Sequence, residues 1–277
     1  MTSGYDWQGR VGDTWAEEWR LTDMSFAGLA GALDGAIAAA APERGRALDI
    51  GCGAGVTSLA LAAVRPELEV TGIDLSERLV DVARERGKAV PNASFHRAEA
   101  VGFLEGREFD LAFSRHGVMF FPDPQAAFRA IRQALRPGAA LVFSCFASLA
   151  RNPWATEIAA AAGASGGTAA DGYAPGPFAF AEPEFVRGLL ESNGFAAGAP
   201  QLIDYAYRAG DEPDALAQAL HFFRRIGPAA ALFAAAEPAE RAAMRERLSK
   251  FLAGRIRGGV IEFPATAWIW SARAVEK

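Results

Sequence analysis

Two carboxylates and three glycines in the first third of the chain form the group most suited to chemistry. Asp49 lies in the apolar run Ala47-Leu48-Asp49-Ile50, glycines follow at 51, 53 and 55 around Cys52, and Asp74 ends a second apolar run, Glu67–Leu75. These are binding residues more than bond-breaking ones. Glycine lets the backbone turn tightly and lets a ligand come close. An acidic residue at the end of the second strand suits a ribose, whose 2′- and 3′-hydroxyls donate to its two oxygens. Helix capping is the competing role, and Ser76 can fill it instead.

Positioning these residues takes a strand, a tight turn and a helix. Ala47–Ile50 has strand character, Gly51–Gly55 is the turn, and Val56–Val64 reads as a helix of small and apolar residues. A helix N-terminus there leaves backbone N–H groups free for an anion or nucleotide. The dinucleotide fingerprint G-x-G-x-x-G requires a third glycine at 56. Val56 stands there, which disfavours an NAD(P)-dependent oxidoreductase.

The chain has 277 residues, 51% hydrophobic and 22% charged, with a net charge of −5. It can bury a sizeable core, as one large domain or a domain with a cap. The negative balance argues against a nucleic-acid partner. Two cysteines, Cys52 and Cys145, offer neither a disulfide framework nor metal-ligand spacing. Uncharged runs such as 138–150 fall short of the ~20 residues that span a bilayer. The N-terminus lacks an apolar signal core. The expectation is a cytoplasmic protein with no membrane partner and no metal.

Asp49–Gly55, D-x-G-C-G-x-G, resembles the first motif of class I (Rossmann-like) S-adenosylmethionine (SAM)-dependent methyltransferases. Three further stretches match. The leader V-G-D-T-W-A-x-x-W-R-L-T-D is similar to that of ubiquinone/menaquinone-type small-molecule methyltransferases. Ala98-Glu99-Ala100 stands after a third strand, Ala93–Arg97, where the family has an acid–alanine pair. Leu135-Arg136-Pro137-Gly138, running into Leu141-Val142-Phe143, resembles the family's entry to strand five. The resemblance extends over roughly residues 5–146.

It implies a doubly wound, seven-stranded, mostly parallel sheet of order 3-2-1-4-5-7-6, with strand 7 antiparallel. The expected divisions are a helical leader (1–45), a SAM-binding core (46–147), a flap (148–181) and the rest of the core (182–277). A helical lid is inserted at about 212–260. Strand six is expected over 202–207 and the last strand over 265–272. The Gly/Ala/Ser/Pro-rich run 163–177 is expected to be a flexible flap.

Cofactor contacts are then expected from Trp15, Arg20, Asp49, Gly51, Cys52, Gly53, Gly55, Asp74, Leu75, Ala98, Glu99, Ala100, Ser114 and Met119. Arg20 would hold the cofactor carboxylate through its planar donor fork. The leader's tryptophans either close the pocket or staple the leader to the sheet. His116 and Arg115, after strand four, are the catalytic candidates. His116 either acts as a general base or shapes the methyl-side pocket; His221 is a weaker base candidate. Trp154, Phe222 and Phe223 would face the substrate.

The implied reaction is in-line methyl transfer from SAM to a small, partly hydrophobic acceptor, leaving S-adenosylhomocysteine. A peptide or peptide terminus as acceptor, and a non-catalytic SAM-binding role, stay open. The acceptor atom and the oligomeric state are left undetermined.

Overall fold

The computed structural model describes residues 7–164 and 173–276. Residues 165–172, part of the expected flap, lie outside the described residues. The elements run α1 (Arg10–Glu17), α2 (Trp19–Ala40), β1 (Arg44–Ile50), α3 (Val56–Val64), β2 (Glu67–Asp74), α4 (Glu77–Gly87), β3 (Ala93–Arg97), α5 (Ala100–Leu104) and β4 (Phe109–Arg115). A 3₁₀ turn at 118–120 leads to α6 (Pro124–Ala134) and β5 (Leu135–Phe146). Then come α7 (Pro153–Ala162), α8 (Pro183–Ser192), β6 (Phe195–Ala197), β7 (Gln201–Gly210), α9 (Ala215–Arg225), α10 (Ala230–Ala235), α11 (Pro238–Ala253) and β8 (Ile261–Ala274).

The sheet has order β3-β2-β1-β4-β5-β8-β6, with β7 also on β8. The first five strands pair in parallel, and β8 runs antiparallel to β5. The expected order holds with one correction: the described residues form eight strands, not seven. The sixth position is shared by two segments on one edge of β8, with β6 facing residues 272–274 and β7 facing 261–269. Gly198 interrupts them; its N–H still donates to Ser271 O, and a Cβ on it would lie 2.8 Å from that oxygen.

The central strands are buried because helices cover both faces, as parallel sheets require. β1 ends in four buried residues, Ala47–Ile50, and β5 is buried from Ala139 to Phe146. Helix α2 covers one face through Phe26, Leu29, Leu33 and Ile37, a single helical stripe. It lies close on β7 because Gly28 has no side chain: a Cβ there would be 3.0 Å from Ala206 O. The leader is thus part of the core packing as well as a wall of the site.

The helical segment expected at about 212–260 consists of three helices, broken before Pro228 and at Pro238. Helix α9 packs on β7 and on α11, and α11 packs on α7. No described helix is long and apolar enough to cross a membrane.

Candidate functional site

The carboxyl ends of β1 and β4 open on a cavity of about 510 Å³. Their parallel neighbours lead in opposite directions at this point, and the crevice that results is where such sheets bind ligands. Gly51 and Gly117 meet there: a Cβ on Gly51 would lie 3.0 Å from Gly117 Cα. Gly51, Gly53 and Gly55 all have left-handed φ, of 68°, 53° and 80°. They serve different purposes. Around Gly53 there is open space, on the cavity side. Gly55 caps α3, and a Cβ on it would press on Ala83 and the Phe95 ring at 3.0 Å, so it serves packing and does not line the cavity.

The two carboxylates both line the cavity. Asp49 is 1% exposed; its Oδ2 accepts from Ser58 Oγ at 2.6 Å, and its Oδ1 is buried with no partner. Burial raises its pKa to about 7, against the Ser58 hydrogen bond and the Arg115 charge. Asp74 is positioned by backbone donors, Gly53 N–H and Ser76 N–H, each at 2.9 Å. Burial raises its pKa as well, opposed by those bonds. Each of its oxygens retains acceptor capacity. Ser76 takes the helix-cap role, accepting from Leu79 N–H. Glu99 lines the cavity and caps α5 through Gly102 N–H.

The leader supplies a wall that includes Trp15, Trp19, Thr22, Asp23 and Phe26. Asp23 bridges two cations, Arg115 at 3.0 Å and Arg86 at 2.9 Å. Arg86 in turn donates to Ala54 O in the glycine turn and stacks on the Trp19 ring. The leader is therefore tied to both cofactor-side loops. Glu18, buried, extends the tie to α9 by pairing with His221 and Arg225.

His116 follows β4 with φ of 61°, the single non-glycine residue with positive φ among the described residues. Side chains rarely adopt this region unless the surroundings impose it. Here its N–H donates to Ser144 O, its Nδ1 lies 2.7 Å from Ser144 Oγ, and its ring packs between Phe26 and Phe146. Its Nε2 is buried without a partner. Burial, helped by the Arg115 charge, lowers its pKa to about 3, so it is neutral at physiological pH. Beyond it, Trp154 lines the cavity and stacks on Tyr207 at 4.8 Å and 3°.

The cavity also brings together Cys52, Leu75, Ala98, Ala100 and Met119, as the sequence suggested. Five expected residues lie elsewhere. Arg20 is exposed and stacks on Trp19, on the outward side of α2. Gly55 is a packing glycine, as above. Ser114 is buried beneath the loop, donating to Ile50 O and accepting from Gly117 N–H. Phe222 and Phe223 are core residues, packed toward Tyr207 and Phe263, because α9 is sandwiched between the sheet and α11. The cavity meets this region at Ile226 and Gly227. Sequence reading missed Thr22, Asp23, Phe26, Phe146 and Tyr207 as wall residues. Asp23 carried a signal: it lies one turn from Trp19, beside the apolar stripe, where a carboxylate needs a partner.

Residues 48–143 match the family model described as "Methyltransferase domain", and that segment is a methyltransferase domain. The chain is 40% identical over 105 residues to a ubiquinone biosynthesis O-methyltransferase of Aromatoleum aromaticum, covering 36% of this chain and 43% of that one. It is 34% identical over 99 residues to a demethylmenaquinone methyltransferase of Staphylococcus aureus, covering 35% and 41%. The matches thus span less than half the length of these curated relatives. Among solved structures, phosphoethanolamine N-methyltransferase 2 of Haemonchus contortus, in complex with SAM, is similar with a TM-score of 0.56 at 17% identity. That likeness covers 100% of this chain and 61% of the other.

Proposed function

We propose that the protein is a SAM-dependent methyltransferase that methylates a small, partly hydrophobic acceptor. The observation that carries this reading is the orphaned, buried Oδ1 of Asp49 beside an open left-handed glycine, Gly53. A buried carboxylate oxygen with no donor is costly unless a ligand supplies one. An ammonium such as that of the methionine moiety fits it. The remaining acceptor capacity of Asp74 fits ribose hydroxyls, and the apolar walls at Ile73 and Leu79 fit an adenine.

Bound SAM supplies a methyl group already activated as a sulfonium. The chain's own residues then hold and orient. Asp49 and Asp74 fix the two ends of the nucleoside amino acid, and the leader wall keeps water from the reacting atoms. Phe146, Trp154 and Tyr207 offer an aromatic seat to the acceptor. With Nδ1–H donating to Ser144 Oγ, His116 Nε2 keeps a lone pair for the acceptor's hydroxyl or amine proton. At its lowered basicity it accepts a hydrogen bond and aims the nucleophile, rather than carrying the proton away. The names of the quinone-type relatives support an acceptor with an apolar ring.

The test is titration of the purified chain with SAM, S-adenosylhomocysteine and NAD, followed by an acceptor panel led by quinols and phenols, read by mass. Binding of the two sulfur nucleosides and a mass gain of one methyl are expected. Failure to bind either sulfur nucleoside overturns the reading.

A further inference from the structure

A second chamber of about 860 Å³ adjoins the first, sharing Trp15, Phe120, Trp154 and Ile226 with it. It lies between α1, α7 and the α9–α10 helices. Its charge is one-sided: Arg10, Arg224, Arg225 and Arg241 line it, beside His221, and no acidic residue does among the described residues. In a chain of net charge −5 this concentration is unexpected.

These basic side chains are not all free. His221 and Arg225 are satisfied from behind by Glu18. Arg241 donates to Phe233 O and Ala236 O, which fixes the guanidinium without cancelling its charge. Arg224 makes no ion pair among the described residues, stacks 5.5 Å from the Phe233 ring, and has a buried Nε with no acceptor. Arg10 likewise has no carboxylate partner among them and is exposed. Burying a guanidinium donor unpaired is unfavourable unless an anion occupies the site.

We infer that the acceptor is an amphipathic anion: an apolar ring reaches the inner cavity beside Trp154, and a carboxylate or phosphate is held in the outer chamber by Arg224 and Arg10. Arginine suits either oxyanion, because its fork bonds two oxygens at once. This rests on the methyltransferase reading for the ligand's role as acceptor, not for its charge.

The experiment is calorimetric titration of the full chain, with and without saturating S-adenosylhomocysteine. The probes are 3-phenylpropionate, its uncharged amide, and phenyl phosphate, at low and high salt. Either acid should bind at least about tenfold more tightly than the amide, since one charge-assisted bond is worth that much. The advantage should shrink at high salt. The tighter of the two acids identifies carboxylate or phosphate as the recognised group. Arg224→Gln should abolish the preference and Arg224→Lys should retain part of it. Arg10→Gln, at an exposed position, should halve it or more even if Arg224→Gln proves unstable. Equal affinity for acid and amide, or no binding of either acid, overturns the inference. If S-adenosylhomocysteine itself fails to bind, the methyltransferase reading falls, while the anion preference is still decided on the free chain.

Discussion

Asp23 on α2 and Arg115 at the end of β4 form an ion pair at 3.0 Å across the mouth of the cavity, with side chains only 18% and 16% exposed. The pair joins the leader to the strand that carries His116. Removing Asp23 leaves Arg115 largely buried without its carboxylate, which costs more than losing a surface bridge. Asp23→Ala should lower stability by about 1–3 kcal/mol, and the Asp23→Ala/Arg115→Ala double variant should recover part of the loss. A coupling energy near zero in the urea-denaturation cycle would show that the two residues do not depend on each other.

The glycines separate cofactor binding from folding. Gly53→Ala meets only the left-handed φ of 53°, a cost of about 1–2 kcal/mol, and places a methyl in the cavity. Gly55→Ala adds overpacking on Ala83 and Phe95, about 1–3 kcal/mol more. Gly53→Ala should therefore stay folded and bind SAM at least about tenfold more weakly. Gly55→Ala should be the less stable of the two. Thermal melts and calorimetry on both variants decide the matter; the reverse ranking contradicts the assignment.

Asp49 links cofactor affinity to pH. Its pKa is raised to about 7 in the folded chain from 3.8, so the folded state prefers it protonated. A ligand ammonium on Oδ1 prefers the carboxylate. SAM affinity should therefore rise as pH goes from about 5.5 to 7, by up to roughly tenfold per unit. Asp49→Asn should bind more weakly at pH 7 and lose this dependence. A wild-type affinity that stays flat over that range would exclude contact between Asp49 and a cation.

The parallel half of the fold was legible in the sequence because strands buried on both faces read as apolar runs closed by glycine or an acidic residue. The cradle was legible for the same reason: Asp49, Gly51, Gly53 and Asp74 are local to strand ends. The acceptor side was less so. Phe222 and Phe223 read as lid aromatics, but whether a helix covers a cavity or is itself covered depends on α11 packing across it. Arg20 and Asp23 are three residues apart on α2, yet one faces out and the other in. The packing of α2 on β7, β5 and α3 fixes the helix's rotation. Tyr207 and Phe146 lie on different strands, β7 and β5, with two helices and a strand between them in the chain, and no spacing rule joins them.

His116 provides the last test, and its pH signature runs opposite to that of Asp49. Its pKa falls to about 3 from 6.5, so protonation favours the unfolded chain. Its stabilising contribution is complete above about pH 6.5 and is lost as pH falls toward 3, by up to roughly 4–5 kcal/mol. Asp49, raised, contributes most at low pH and loses its contribution as pH rises toward 7. The two effects partly cancel in the wild-type curve between pH 4 and 6.5, and single variants uncouple them. His116→Asn keeps a residue that tolerates left-handed φ and should flatten the acid limb, leaving the Asp49 slope visible. The ring can also be followed directly. The chain has three histidines, so the His116 Hε1 resonance is identified by its loss in His116→Asn, and it should hold the neutral shift down to about pH 4. With a working acceptor, His116→Asn should lower kcat by about tenfold or less, since an aimed hydrogen bond is lost. Loss of a true general base would cost about 10²–10⁴-fold. A His116 resonance that titrates near pH 6.5 together with a loss of that larger size would make it the base, and the hydrogen-bonding role would be wrong.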